Sequence, residues 1–169
     1  NNILFTPNGA YYDAGELETG TNIVHGTKLY TNGIFDASSG NNYRHSNGIY
    51  YDNGIQENSY ELHTGAQYNT CTAINNSCDL YKDGIKNTNE NDILFNGAYY
   101  DAGELETNYA LHTGTANGVC TEGSDNCNLY NNGQIDTDVN TVYGTRLYTN
   151  GIFNTNSGQN YLHINGRYY

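Results

Sequence analysis

Short apolar runs alternate with polar turns along this chain, and the turns carry Asn-Gly or Gly. In residues 93–103, the apolar run 93–95 is followed by Asn96-Gly97, a second apolar run at 98–100 and a further turn at 101–103. Asn-Gly between two strand-like runs is a strong hairpin signal, because a type I′ turn needs positive φ at both central residues. The density of Gly and Asn disfavours helix. The pattern therefore predicts an all-β chain of short hairpins.

The hairpins form a repeat marked by tyrosine. A Tyr followed three residues later by Gly recurs at Tyr12, Tyr30, Tyr51, Tyr81, Tyr100, Tyr130 and Tyr148. An eighth copy reaches Tyr169 at the end of the sequence. Self-similarity at about 20 residues is typical of stacked repeats, in which neighbours supply the core that one unit cannot bury alone. We predict tandem ~20-residue β-hairpin repeats stacked as a β-solenoid, with a long antiparallel meander as the alternative.

We expect residues 1–169 to form one repeat array. Residues 1–5 restate residues 91–95, and residues 165–169 restate residues 47–51, so both ends fall inside a repeat. The expectation is therefore a segment of a longer repetitive protein. Two of the steps between repeat tyrosines are longer than the others and contain loop insertions at 66–79 and 115–128.

The charge of the chain disfavours several partners. The chain has 18 Asp and Glu against 6 Lys and Arg, a formal net charge of -12. Nucleic-acid binding depends on neutralising phosphates with basic residues, so it is not expected here. No apolar run approaches the ~20 residues of a membrane-spanning helix, and membrane insertion is not expected either.

Four cysteines lie in the two insertions and form matching C-x6-C pairs. They are Cys71 with Cys78 and Cys120 with Cys127. No C-x2-C spacing of a zinc site occurs, so two local disulfides are the simplest interpretation. Disulfides persist in oxidising compartments, which predicts an extracellular protein.

The five histidines all close the first strand of their hairpins, at His25, His45, His63, His112 and His163. Phe5, Phe95 and Tyr143 hold the same slot in other copies. Equivalent positions of a stacked repeat align, so this slot is expected to form a column of rings. A metal ladder or a pH switch is the functional hypothesis. Simple ring packing is the alternative, and it is favoured because Phe shares the slot.

An acidic stretch after the turn at Gly133 is the best candidate for a cofactor. Asp136, Asp138 and Asn140 place oxygen side chains at alternate positions, as calcium loops do. The full calcium-loop pattern is not completed, and Asn and Asp also serve as turn residues. A calcium site is therefore one hypothesis and a solvated turn is the other.

Catalysis is not expected. The carboxylates at Glu16, Glu18, Glu104 and Glu106 recur with the repeat, since YYDAGELET occurs twice. A catalytic carboxylate pair is normally a unique feature of one site. We therefore predict that the chain is not an enzyme.

The layout resembles that of the cell-wall-binding repeats of bacterial surface proteins, the choline- and glucan-binding type. Residues 11–20 (YYDAGELETG) and 43–51 (YRHSNGIYY) carry the resemblance. It implies stacked hairpins, a bacterial cell-surface setting and aromatic cages that hold a ligand. The chain has no Trp, so the cages would be built from Tyr12, Tyr51, Tyr100 or Tyr169 and from the His and Phe residues of the ring column.

Two functions are consistent with these patterns. The first is a structural extracellular protein, a fibre, filament or stalk segment that self-assembles through its repeats. The second is a carbohydrate-binding module for cell-wall or glucan polysaccharide. Alternation along a strand predicts that one tyrosine of each adjacent pair, such as Tyr50 and Tyr51, faces outward.

Overall fold

The computed structural model describes residues 3–5, 9–69, 71, 74–118, 120–155 and 161–169. These residues form short antiparallel strands and one 3-10 turn, at Ala37–Ser39, with no α-helix among them. The chain is divided into two compact units. The first comprises residues 1–73 and 77–87, and the second comprises residues 74–76 and 88–169.

Twelve strands lie in the first unit. They are β1 (Ile3–Phe5), β2 (Ala10–Asp13), β3 (Glu16–Leu17), β4 (Ile23–His25), β5 (Lys28–Thr31), β6 (Ile34–Phe35), β7 (Tyr43–Arg44), β8 (Tyr50–Asp52), β9 (Ile55–Gln56), β10 (Tyr60–His63), β11 (Asp79–Lys82) and β12 (Ile85–Lys86). Strands β1–β3 and β10–β12 form three-stranded sheets, and β4–β9 form a six-stranded sheet.

Nine strands lie in the second unit. They are β13 (Ile93–Phe95), β14 (Ala98–Asp101), β15 (Glu104–Leu105), β16 (Tyr109–His112), β17 (Asn128–Asn131), β18 (Gln134–Ile135), β19 (Thr141–Tyr143), β20 (Arg146–Thr149) and β21 (Ile152–Phe153). Strands β13–β18 form a six-stranded sheet and β19–β21 a three-stranded sheet.

Each of the first seven repeats contains three strands rather than two. A first strand pairs with a central strand, and a two-residue third strand pairs back onto the end of the central strand. The two-residue turn before the third strand, for example Asn53-Gly54, has positive φ at both residues (47° and 77°). This is the conformation that the Asn-Gly signal predicts for a type I′ turn. The prediction of an all-β chain of hairpins is confirmed.

Consecutive repeats within a unit are joined by one recurring backbone hydrogen bond. A central-strand N–H donates to the carbonyl of the turn glycine in the following repeat. In the first unit these bonds join Tyr11 to Gly33, Leu29 to Gly54 and Tyr50 to Gly84, at 2.8, 2.8 and 2.9 Å. In the second unit they join Tyr99 to Gly133 and Leu129 to Gly151, at 2.8 and 2.6 Å. The repeats therefore contact their neighbours with a constant register.

The core lies along the central strands. The buried side chains there are Leu29, Tyr50, Tyr51, Leu80, Tyr99, Tyr100, Leu129 and Tyr148. Both members of the pairs Tyr50–Tyr51 and Tyr99–Tyr100 are fully buried. The expectation that one tyrosine of each pair faces outward is therefore wrong for these two pairs, since both faces of the central strand are covered.

Candidate functional site

Three copies of one side-chain cluster recur among the described residues, each built from two tyrosines, a glutamate and a histidine, and the histidine is half-buried in the first copy and buried in the other two. We call these the Tyr-His-Glu clusters. Cluster 1 contains Tyr11, Glu18, His25 and Tyr30; cluster 2 contains Tyr50, Glu57, His63 and Tyr81; cluster 3 contains Tyr99, Glu106, His112 and Tyr130.

The repeat geometry brings these four side chains together. In cluster 2, Tyr50 lies on a central strand, and Glu57 follows seven residues later, just after the third strand. The backbone N–H of Glu57 donates to the carbonyl of Tyr50 at 3.2 Å. His63 then ends the first strand of the next repeat, opposite Asp79. The cluster therefore joins two consecutive repeats.

The histidine ring is enclosed by aromatic rings from both repeats. The ring of His63 lies nearly parallel to that of Tyr50, with 3.7 Å between centroids, and meets the ring of Tyr81 edge to face at 5.1 Å. His25 stacks on Tyr11 at 3.8 Å and His112 stacks on Tyr99 at 3.7 Å. The stacking partner of each of these histidines is thus a central-strand tyrosine of the preceding repeat.

A glutamate carboxylate lies against the Nε2 atom of each stacked histidine. The distance from Nε2 to Oε2 is 2.6 Å for His25 and Glu18, 2.8 Å for His63 and Glu57, and 2.7 Å for His112 and Glu106. The side chains of the second pair are 0% and 1% exposed. Such a pair positions the imidazole by a hydrogen bond to carboxylate, which is among the stronger hydrogen bonds in proteins.

Clusters 2 and 3 each include one more carboxylate. One ligand atom each from Glu57, Glu61 and His63 lie within 4.8 Å of one another, and the same holds for Asp92, Glu106 and His112. Burial, and next the charge of Glu57, raises the pKa of Glu61. In cluster 3 the Oδ1 atom of Asp92 is 3.5 Å from Nδ1 of His112.

Several polar atoms of these clusters are buried and have no hydrogen-bond partner among the residues that the structure describes. They are Oε1 of Glu57, Nδ1 of His63 and Nδ1 of His112. Buried polar groups are nearly always paired in folded proteins. Their unused bonding capacity distinguishes these clusters from ordinary side-chain packing.

The remaining histidines occupy the same slot but have other surroundings. His45 directly follows β7 and His163 directly follows the isolated bridge between Leu162 and Tyr168, and the N–H groups of Asn47 and Asn165 donate to their Nδ1 atoms at 3.2 Å. His163 Nε2 lies 2.8 Å from the carbonyl oxygen of Asn140. Strand register places His25, His63 and His112 in the predicted slot, and these three histidines also have the glutamate partner.

The predicted calcium ligands are only partly close to one another. Asp136 is buried, its Oδ1 accepts from the N–H of Asp138 at 3.4 Å, and its Oδ2 has no hydrogen-bond partner within the described part of the chain. The amide oxygen of Asn140 accepts from Thr149, and its amide nitrogen donates to Tyr161. Calcium binding at these three residues stays a prediction.

Both cysteine pairs form the predicted disulfides. The Cα atoms of Cys71 and Cys78 are 5.9 Å apart, and those of Cys120 and Cys127 are 5.8 Å apart. Residues 70, 72, 73 and 119 of the two loop insertions lie outside the described residues. Two disulfides indicate an oxidising, secreted environment. Among the described residues, no helix has the length and apolar character required to cross a membrane.

The four tyrosines predicted to stack on glycans differ in accessibility. Tyr51 and Tyr100 are fully buried, whereas Tyr12 and Tyr169 are partly exposed. Tyr51 meets the ring of His45 edge to face, and Tyr169 meets that of His163. A sugar therefore has access to a ring surface only at Tyr12 and Tyr169 among these four.

No family model, curated protein or solved structure matches this chain. The resemblance to bacterial cell-wall-binding repeats therefore stays a prediction.

Sequence reasoning missed the Tyr-His-Glu clusters, although the sequence contains a signal for them. Glu18, Glu57 and Glu106 each follow a central-strand tyrosine by seven residues, and a histidine follows six or seven residues later. Interpreting the glutamates only as recurring repeat residues hid this spacing. The recurrence of a Glu and a His at nearly constant spacing after a central-strand tyrosine is the sequence signal for these clusters.

Proposed function

We propose that this chain is a structural repeat protein of the extracellular space, a segment of a fibre, filament or stalk whose repeats stack as a β-solenoid. Two features support the proposal: the recurring bond from a central strand to the next turn glycine, and the Tyr-His-Glu clusters that join consecutive repeats. The hydrogen bond adds the same contact from the first to the fourth repeat and from the fifth to the seventh, as expected of stacked repeats. The clusters add a second contact between the first and second, the third and fourth, and the fifth and sixth repeats.

One observation carries the self-assembly part of this proposal. Residues 3–5 and 93–95 share the sequence Ile-Leu-Phe, yet Ile3 is 63% exposed and Ile93 is 7% exposed. Phe5 is 52% exposed, and Phe5, Ile3 and Tyr12 line an apolar hollow. In the next repeat, the corresponding slot residue His25 is covered by Tyr11 of the repeat before it. The face of the first repeat is thus an apolar surface that a further repeat would fit.

The proposal assigns the Glu-His pairs a structural role and no catalytic one. Glu57 and His63 are almost completely buried and lie under the ring of Tyr50. A general base must reach the proton that it removes from a substrate. A buried pair that recurs from repeat to repeat is better suited to holding repeats together.

Electron microscopy and sedimentation velocity test the self-assembly. We expect the wild-type chain to form end-to-end rods that lengthen with concentration, and the double variant I3K/F5K to remain a short particle. Val139, which is 69% exposed in the second unit, provides the control V139K. Rods that persist in I3K/F5K, or a wild-type chain that stays monomeric, would contradict the proposed contact.

Carbohydrate binding is the second candidate, and one surface favours it. Tyr169 lines an open pocket with Thr145, Arg146, Phe153 and Asn154, which combines a ring with hydroxyl, amide and guanidinium groups. Sugar sites use this mixture of aromatic and polar groups. Binding of cell-wall or glucan polysaccharide that is lost in Y169A and retained in Y68A, which alters an exposed tyrosine elsewhere, would support it. Equal binding by both variants would exclude this pocket.

A further inference from the structure

We propose that clusters 2 and 3 are two divalent transition-metal sites, formed by Glu57, Glu61 and His63 and by Asp92, Glu106 and His112, with Zn²⁺ as the ion whose chemistry they fit. Imidazole with two carboxylates is a mixed nitrogen and oxygen donor set that zinc accepts. The donor atoms within each set lie within 4.8 Å of one another.

The unpartnered atoms of cluster 2 are the first argument. Glu57 is almost completely buried, its Oε2 contacts His63 Nε2, and its Oε1 has no hydrogen-bond partner in the described ranges of the chain. Glu61 brings a second carboxylate to the same place on β10, two residues from His63 and therefore on the same face of the strand. Two carboxylates beside one imidazole leave negative charge in a poorly hydrated position. A bound cation neutralises that charge and uses the free oxygen.

The second argument is that the second carboxylate of each site comes from a different position of the repeat. In the strand register, Ala110 of cluster 3 occupies the position of Glu61, since Ala110 pairs with Tyr130 as Glu61 pairs with Tyr81. Cluster 3 obtains its extra carboxylate from Asp92 instead.

Asn42 is the counterpart of Asp92 in the third repeat. The N–H groups of both residues donate to the carboxylate of a central-strand aspartate, Asp52 or Asp101, at 2.7 Å. Both clusters therefore have an additional carboxylate beside the histidine, although it comes from different positions of the repeat. This is the arrangement expected when the carboxylate is needed as a metal ligand.

Cluster 1 provides an internal comparison. Its Glu18 and His25 form the same pair, but Ile23 stands at the position of Glu61, opposite Tyr30. Among the described residues, no group of three donors surrounds His25. We therefore expect two metal sites in the chain rather than three.

A modest adjustment of side chains would complete the coordination. Zinc holds oxygen and nitrogen ligands at about 2.0–2.2 Å, which places tetrahedral donors roughly 3.3 Å apart. In cluster 2 the Glu57–His63 contact of 2.8 Å, at Nε2, is near this spacing. In cluster 3 the Asp92–His112 contact of 3.5 Å is at Nδ1, so Glu106, which contacts Nε2, must turn toward Nδ1 to share one ion. Asp92 is 38% exposed, so ions have a route from solvent to cluster 3.

The repeat itself supplies variants that test the proposal without disturbing the fold. E61A introduces the residue that cluster 3 carries at this position, and D92N introduces the residue type found at Asn42. D83N is the matched control, because Asp83 is an exposed turn residue whose counterparts are Asn53 and Asn132. Circular dichroism of each variant verifies that the strands are retained.

Calorimetric titration of the chelator-treated full chain with Zn²⁺ gives the decisive result. We expect two sites in the wild type and in D83N, one in E61A, one in D92N and none in E61A/D92N. Loss of a ligand is expected to lower the affinity at the altered site by more than the roughly 10–100-fold that loss of an outer-shell partner costs. Nitrogen-15 chemical shifts of the histidines identify the ligand, with His63 responding to Zn²⁺ in D92N and His112 in E61A. Absence of binding, or stoichiometry unchanged in E61A/D92N, would overturn the proposal.

Discussion

The imidazole of His63 lies flat on the ring of Tyr50, with the two planes 8° apart and the centroids 3.7 Å apart. The histidine belongs to one repeat and the tyrosine to the repeat before it. Glu57, from the loop between them, fixes the orientation of the imidazole through Nε2. One contact thus joins the first strand, the connecting loop and the central strand, which makes the pair a sensitive probe of repeat stacking.

Replacing Glu57 by Ala is expected to destabilise the first unit. The substitution leaves the buried Nε2 atom of His63 without its partner, which costs about 1–3 kcal/mol. H63F keeps a ring over Tyr50, since Phe occupies this slot at Phe5 and Phe95, but leaves the Glu57 carboxylate unpaired. Urea unfolding of E57A, H63F and the double variant gives the coupling energy, which we expect to be about 0.5–3 kcal/mol.

The half-buried His45 is the control for this experiment. It occupies the same slot, and its described side-chain bond is to its own turn. The changes in the free energy of unfolding caused by H45F and E57A should therefore add in the double variant. A coupling energy near zero for Glu57 and His63 would contradict the assigned role of the pair.

The local fold was predictable because it depends on short-range chemistry. Asn-Gly and Gly turns specify hairpins through the φ values they permit, and Asn96-Gly97 adopts the expected positive φ at both residues. The local disulfide between Cys71 and Cys78 was also predictable, because the two cysteines are close together in the sequence. Neither inference needed information about which repeats touch.

The clusters were less predictable because they depend on contacts between repeats. Tyr50 and Tyr51 were expected to face opposite sides, one of them solvent, and alternation alone gives that result. The structure instead places His63 over Tyr50 and His45 beside Tyr51, so both sides are covered. Which face receives a neighbour is set by the path of the connecting loop, which strand periodicity does not encode.

Removing the Cys71–Cys78 disulfide is expected to lower stability by about 2.5 kcal/mol, the loop-closure value for a ring of this size. C71A/C78A is the appropriate variant, because Cys78 is 2% exposed and Ala avoids burying a polar group. The matched variant in the second unit is C120A/C127A, which opens a loop of the same length. Hydrogen exchange at Leu80 and Leu129 measures each unit separately. Unchanged protection in both variants would show that the disulfides do not stabilise the strands.

Alkaline pH is expected to unfold the protein through its buried tyrosines. Burial, assisted by the neighbouring Tyr81, raises the pKa of Tyr50 to about 12, and burial, assisted by Tyr130, raises that of Tyr99 to about 12. A phenol whose pKa is raised in the folded state favours folding fully below its unfolded pKa of about 10. That contribution is lost as the pH rises from about 10 to about 12.

Phenolate absorbance and circular dichroism, recorded together against pH, test this expectation. Y50F removes the ionising group and the hydrogen bond from the Tyr50 hydroxyl to the carbonyl of Ala66, which costs about 1 kcal/mol near neutral pH. The same variant should lose less stability than the wild type between pH 10 and 12. If Y50F and Y99F lost as much stability between pH 10 and 12 as the wild type does, these two phenols would not be the cause of alkaline unfolding.

Two glycines with similar backbone conformations separate the cost of positive φ from the cost of repeat contact. Gly54 has φ +77° and Gly48 has φ +87°. A Cβ atom on Gly54 would lie 2.1 Å from the carbonyl oxygen of Asp36, a backbone atom of the preceding repeat, whereas the nearest atom to one on Gly48 is Arg44 Nη2, at 3.8 Å. G48A is therefore expected to cost about 1–2 kcal/mol, from left-handed backbone strain alone. G54A adds overpacking of about 1–3 kcal/mol and weakens the bond from Leu29 to the Gly54 carbonyl. Urea unfolding gives the free energy of unfolding of G48A and G54A. Equal decreases in the two variants would mean that the contact between Gly54 and the preceding repeat can open at no cost in stability.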